Sequence, residues 1–453
     1  MNKTLIEYYR CPAGTTELRP AGKLSQDRGY FHLGEDIVCY GRSAGGFRAP
    51  RADIRLYDVT ANISHNGSAI CLPFDPDEVT RNLLRERYSA HFREEGKLLN
   101  ALMRSVYYAV RPHLTVSTRK HLQKLYLRDW RSIPFPKWPV DCTVDRLQRR
   151  LLGFVMKTLN VERLPFVWFW PGGYQACAII THDVEEVRGR DLCGDLMDVD
   201  ESFGFYGSYQ VVPECRYPVP SSFLSLIRER KCEVNVHDLR HDGRLYAEYD
   251  EFLRRAQLIN EYGRLFGACG FRSGVLYRNA DWYGALDFQY DMSIPNVAHL
   301  DPQHGGCCTV MPYFIGKLVE LPVTCTQDYA LFHVLRDYSV QLWKQQVDAI
   351  TANHGLITVL VHPDYVMEQR ALHVYQSLLE YLAKLRETQP IWTPLPREVA
   401  TWTMQRNKMN LIHRQGQWQI EGPGSERARI AYASLTDEGV VYSMEADSCQ
   451  LTP

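Results

Sequence analysis

Residues Ala176 to Glu185 read ACAIITHDVE, an apolar, β-compatible run that stops at two carboxylates spaced two apart. Such a run reads as a buried strand, and its period of two puts Asp183 and Glu185 on one face at its C-terminal end. In α/β folds, ligands and chemistry collect at that end of the strands. A second stretch, Asn235 to His241, reads NVHDLRH and supplies His237 and His241 four residues apart, on one face if that turn is helical. Two carboxylates and two such imidazoles make a divalent-metal site.

The surrounding sequence says what kind of sheet this strand belongs to. After the aromatic run Phe166 to Trp170, the turn Pro171-Gly172-Gly173 leads into it. From there to about Trp402, the strand candidates FYGSYQVV, CEVNVH, CGFRSG, YDMSIPN and LITVLVHP alternate with amphipathic helices. The helices predicted are Ser221 to Arg230, Tyr246 to Phe266 and Ala371 to Glu387. Alternation of this kind predicts an α/β fold with a mainly parallel sheet or barrel wrapped by helices.

The flanks differ in character. Between Gly29 and about Phe74, GYFHLG, DIVCYGR, IRLYDVT and AICLPF predict a small β-rich unit broken by Gly, Asn and Pro. Asp75 can then cap a helix, with Pro76 suited to its first turn. Helices are predicted on to Tyr108, from Ser117 to about Trp130 and from Thr143 to about Asn160, with Pro134, Pro136 and Pro139 marking a linker. Near the C-terminus, LIHRQGQWQIEG, ARIAYASL and GVVYSMEA read as a small hairpin-rich β appendage. The expected division is 1–164, 165–402 and 403–453. A chain of 453 residues supports two or three such domains.

Charge excludes some functions. A net charge of −1 offers no basic field for nucleic acid or for an anionic membrane. No segment approaches 18 apolar residues, and the N-terminal MNKTLIEYYRCP lacks the apolar core of an export signal, so a soluble cytoplasmic protein is expected. The 13 cysteines are odd in number and form no C-x-x-C pair, which fits reduced, mostly buried thiols. Nothing in the sequence sets an oligomeric state.

Five ordered motifs resemble the polysaccharide deacetylase (NodB homology) domain of carbohydrate esterase family 4. Thr181-His182-Asp183-Val184-Glu185 resembles its T-F-D-D-G motif, and His237 to His241 its H-x-x-x-H. Phe271-Arg272-Ser273-Gly274 resembles the third, Tyr290-Asp291-Met292-Ser293 the fourth, and Leu360-Val361-His362-Pro363 the fifth. The resemblance covers about residues 165 to 400. It implies a distorted (β/α) barrel that removes acetyl groups from N-acetylated (or O-acetylated) sugars or glycan intermediates with the aid of a divalent metal ion, zinc by expectation.

The resemblance also implies roles. His237, His241 and Glu185 would be metal ligands and Asp183 the general base, with the exchange of the two carboxylates left open. Arg272 would keep the base ionised, His362 would be the general acid, and Asp291 would orient His362 or bind substrate. Val184 stands where the family usually has a second aspartate, and an apolar side chain binds no cation. The third motif lacks its usual proline and the fourth its tryptophan, so the substrate class stays open. Two other readings are an amidohydrolase on a non-sugar C-N bond and a non-catalytic carbohydrate-binding protein.

Weaker signals remain. Gly41 to Gly45 satisfies G-x-S-x-G, but Gly46 and Pro50 break any following helix, so a surface turn is expected rather than a nucleophile elbow. The loop Asp301 to Cys308 brings His304 as a candidate substrate contact, with Tyr290 beside the fourth motif. Glu320-Leu321-Pro322 and Gln327-Asp328 read as turns near a strand end.

Overall fold

The run that opens at Ala176 forms a strand because every one of its side chains finds cover: β1 (Ala176–Val184) is buried along its whole length. The structure, a computed structural model, describes residues 3–12, 16–67, 69–89 and 127–444. The helices predicted up to Tyr108 and from Ser117 to Trp130 lie largely outside the described residues. The chain divides into two compact units, one of Met1–Leu84, Cys142–Tyr174 and Thr401–Pro453, the other of Arg85–Asp141 and Gln175–Ala400. The front and tail segments that the sequence treats separately thus share one unit.

In the second unit β1 is followed by β2 (Gly207–Val211), β3 (Glu233–His237), β4 (Gly270–Arg272), β5 (Tyr290–Asp291), β6 (Tyr313–Ile315), β7 (Leu318–Glu320), β8 (Leu356–Val361) and β9 (Ile391–Trp392). Among the described residues these nine strands join in the order β6-β7-β5-β4-β3-β2-β1-β8, with β9 also on β1. All pairings are parallel except β6 with β7. Parallel neighbours require crossovers, and α1 (Cys193–Ser202), α2 (Ser221–Glu229) and α3 (Tyr249–Phe266) supply those from β1 to β4, while α4 (Gln341–Thr351) and α5 (Gln369–Thr388) precede and follow β8. Helix α3 begins three residues later than its apolar pattern suggests.

The sheet curls on itself. Beyond β7 the chain stays extended: Val323 N donates to Ile294 O at 3.0 Å, and Cys325 N to Thr358 O of β8 at 3.3 Å. Thr324 Oγ1 adds a bond to Leu356 O at 2.8 Å. These contacts join the two ends of the strand order, and the fold is the distorted (β/α) barrel expected. Its C-terminal edge gathers the ends of β1, β3, β4 and β8.

The other unit is smaller. Its helix Pro76–Leu84 is capped as predicted, Asp75 Oδ1 accepting from Asp77 N at 2.9 Å and Glu78 N at 3.3 Å. The helix Thr143–Leu159 ends on Asn160 in the left-handed conformation. Strand Arg163–Val167 pairs with Ile430–Thr436, which in turn forms a hairpin with Gly439–Met444. The aromatic run leaves its strand at Val167, where Trp168 Nε1 turns to donate to Tyr174 O. Predicted strand IRLYDVT is irregular, with only Asp58 bridging to His32. Ser43 of the G-x-S-x-G sequence donates its hydroxyl to Phe47 O, as befits a turn. Among the described residues every cysteine is free, and no helix is long and apolar enough to cross a membrane.

One buried ion pair ties Arg85–Ser89 to the barrel. Arg278 is wholly buried, and its Nε donates to Glu86 Oε2 at 2.7 Å while Nη2 donates to Oε1. Gly306 N donates to the same carboxylate at 2.6 Å. An Arg278→Met variant would leave Glu86 buried without its countercharge and should lose about 3–5 kcal/mol in urea unfolding. A loss below about 1 kcal/mol would show that the pair is dispensable.

Candidate active site

Alternation along β1 decides which of its polar residues face the barrel interior. Thr181, Asp183 and Glu185 share one face, and His182 and Val184 take the other. His182 Nε2 is accordingly engaged with Asp200 at 2.7 Å, and Asp200 also accepts from Tyr375. Val184 is fully buried on that outer side, so its apolar side chain does not interrupt the acidic face.

Arg272, at the end of β4, reaches across the barrel to β1. Its Nη1 donates to Asp183 Oδ1 at 2.7 Å, both terminal nitrogens reach Thr181 Oγ1 at 3.1 and 3.0 Å, and Nε donates to Met292 O at 2.9 Å. Arginine and aspartate are buried to 0% and 3% exposure, where a charge persists only if paired. The backbone of the same residue serves the neighbouring strand. Arg272 O accepts from His237 Nδ1 at 3.1 Å, which leaves Nε2 of that ring buried without a hydrogen bond.

His237 and His241 do meet, but through a loop rather than the helical turn their spacing suggested. Asp238 and His241 both have positive φ, 57° and 51°, and the rings lie 4.8 Å apart. Gly274 makes room for this loop, since a Cβ there would fall 2.6 Å from Asp238 Oδ2 and 2.8 Å from His241 Cδ2. Val275 and Leu276, next in sequence, are also at positive φ, a costly conformation for branched side chains.

Glu185 completes the cluster. Its Oε1 lies 2.9 Å from His241 Nε2, 3.7 Å from His237 Nε2 and 3.3 Å from His362 Nε2. One donor atom each from Glu185, His237 and His241 falls within 4.8 Å of the others. Two imidazoles and a carboxylate suit zinc, and the orphaned Nε2 of His237, with its Nδ1 committed to a carbonyl, is the ligand tautomer such a site needs. Asp183 Oδ2 stands 3.6 Å from His237 Nε2, at the border of the cluster but tied to Arg272.

His362 follows β8, and its partner is a residue that the sequence read as a turn. Asp328 Oδ1 meets His362 Nδ1 at 2.7 Å, and Oδ2 accepts from His362 N at 2.7 Å. Asp328, rather than the Asp291 expected there, is thus the carboxylate that meets His362. Asp291 points to the opposite face of β5 from Tyr290 and binds Ser293 N and Oγ at 2.9 and 2.8 Å, beside Glu320. Sequence reasoning missed Asp328 because a lone aspartate in CTQDYA carries no spacing to a histidine 34 residues on. Its one local mark is the π-helix that it caps, Tyr329–Leu335, a rare conformation frequent at functional sites.

Two further candidates sit elsewhere. Tyr290 is wholly buried, its hydroxyl donating to Glu233 at 2.8 Å and accepting from Asn235 at 2.7 Å. It packs against Gly270, where a Cβ would fall 2.2 Å from the ring, so its role is in the barrel core rather than against substrate. His304 is half-buried; burial and the Arg278 charge lower its pKa.

The electrostatics divide the site. Burial pushes the Asp183 carboxyl up, but Arg272, His237 and His362 outweigh it and hold it below the usual range. Glu185 is likewise raised by burial and held well below its range by His241 and His362. Burial lowers His362, yet the Asp328 and Glu185 charges drive it well above an ordinary imidazole. His237 is raised by Asp183 and Glu185 against the same opposing burial. The site therefore favours the ionised form of Asp183 and the protonated form of His362.

No family model matches the chain, and no curated protein matches it. Solved structures do. The chain is similar to a protein described as a polysaccharide deacetylase from Mycobacterium smegmatis, at 16% identity and a TM-score of 0.41 over 52% of this chain and 93% of that one. It is similar to the allantoinase PuuE at 14% identity and 0.39, over 51% and 91% of the two chains. Peptidoglycan deacetylase PdaC from Bacillus subtilis gives 10% identity and 0.33, over 51% and 93%.

Asp328→Asn should lower the His362 pKa toward that of a free imidazole, because it removes the largest charge holding the proton. Nitrogen chemical shifts of the His362 ring across a pH titration measure this. An unmoved titration would assign the proton's retention to Glu185 alone.

Proposed function

We propose that this chain is a metal-dependent hydrolase that removes an acetyl group from an N- or O-acetylated sugar or glycan intermediate. The observation that supports this most is the meeting, at one barrel edge, of a three-donor cluster with two separately paired groups, Asp183 with Arg272 and His362 with Asp328. The likeness of its motifs to the deacetylase domain points the same way.

Glu185, His237 and His241 would hold the ion, with zinc the best match to their donor set. Once bound there, a divalent cation supplies Lewis-acid polarisation of the acetyl carbonyl. The remaining work belongs to the chain. Asp183, kept anionic by Arg272, takes a proton from the attacking water as its oxygen bonds to the carbonyl carbon. His362, its Nδ1 fixed on Asp328, presents the Nε2 proton to the departing amide nitrogen (or ester oxygen) as that bond breaks. Acetate and the free amine or hydroxyl leave. Of the two carboxylates Glu185 is taken as the ligand, because Asp183 already has one oxygen on Arg272.

The depth of the groups limits what can approach. Asp183 and His362 are 3% and 4% exposed.

Elemental analysis should find one divalent ion per wild-type chain, and a chelator should abolish acetate release from acetylated sugars. His237→Ala and His241→Ala should lose the ion with unchanged far-ultraviolet circular dichroism; full occupancy in the double variant would reject these ligands. His362→Ala should keep the ion and lose about 10²–10⁴-fold in turnover. Unchanged turnover would remove His362 from the acid role.

A further inference from the structure

A ring-bearing substrate needs a surface beside the general acid, because the acid must reach the atom that joins the acyl group to the ring. Three aromatic side chains stand at that place. Tyr365 lies 5.1 Å from the His362 ring, ring centre to ring centre. Tyr329 and His333 lie 5.6 and 5.2 Å from Tyr365, and 5.2 Å from each other. All three are half-buried, so each keeps part of its surface open.

We propose that Tyr365, buttressed by the tilted ring of Tyr329 and the edge-on ring of His333, supplies the platform on which the pyranose ring carrying the scissile acetyl group stacks. The inference rests on the function proposed above and names where its leaving group binds. A sugar ring presents C-H groups on its faces, and the negative face of an aromatic ring attracts them.

The backbone ties this platform to the catalytic pair. Tyr329 and His333 belong to the π-helix Tyr329–Leu335, whose N-cap is Asp328. Tyr365 belongs to the single turn Pro363–Val366, whose N-cap is His362. Asp328 and His362 bond to each other twice, through Nδ1 and through the backbone N–H. The two elements that carry the aromatic rings therefore start from the two members of one hydrogen-bonded pair. Their distance from His362 Nε2 is set by that pair, which is the precision a leaving-group subsite requires.

Binding of a tetramer of N-acetylglucosamine to the full-length chain, followed by saturation-transfer NMR and calorimetry, tests this apart from turnover. Tyr329→Ala and Tyr365→Ala should each weaken binding about tenfold, the size of a lost aromatic contact. Tyr365→Phe, which keeps the ring, should stay within about twofold. In acetate-release assays, KM should rise more than kcat falls. No binding by the wild type, alanine variants that bind as well as wild type, or a Phe variant as impaired as Ala would each overturn the platform. Acetate release by the wild type with binding unmoved in both alanine variants would sink the platform and leave the hydrolase reading standing. Platform-dependent binding with no acetate released from any acetylated sugar would do the reverse.

Discussion

The guanidinium of Arg272 holds the barrel mouth together. It sits at zero exposure and spends its donors on two separate segments: Asp183 and Thr181 of β1 and the Met292 carbonyl beyond β5. Burying two charges is expensive, and a pair repays that expense only when the geometry is good and the remaining donors are satisfied. Here they are, by Thr181 and by Met292 O. The same residue's carbonyl accepts from His237 Nδ1 and from Asp238 N at 2.8 Å. One residue thus fixes the ionisation of the carboxylate and the tautomer of the imidazole beside it.

A second buried pair balances the first across the site. Asp328 holds His362 through two bonds, and Glu185 lies between this pair and the two histidines of β3 and its loop. Two carboxylates on the same strand end therefore meet different surroundings. Asp183 is neutralised by a permanent cation and keeps an oxygen free for a proton. Glu185 faces three imidazoles. Chemically similar groups acquire different tasks from their neighbours.

Strain gathers where these pairs are built. Asp238, His241, Val275 and Leu276 all have positive φ, and all lie in the loops after β3 and β4. Such conformations persist only where surrounding contacts hold them. The missing side chain of Gly274 lets the first loop pass over the second, which brings His241 back toward Glu185. The π-helix after Asp328 is the third irregular element at this edge.

Local pattern determined a good deal of this protein. The apolar run before Asp183, the alternation of strands with helices, and the period of two that puts Asp183 and Glu185 on one face can all be read without coordinates, because they depend on neighbours a few residues apart. Spacing also singled out His237 and His241, while Arg272, His362 and the distorted barrel were expected from the resemblance to the deacetylase motifs. Only the tertiary structure decided that Asp328 rather than Asp291 meets His362, that Tyr290 is core, that the two histidines converge through a strained loop, and that front and tail segments share one unit. Each of these depends on which side chain the folded backbone carries to a given point in space. Contacts across tens or hundreds of residues leave no periodic trace in the sequence.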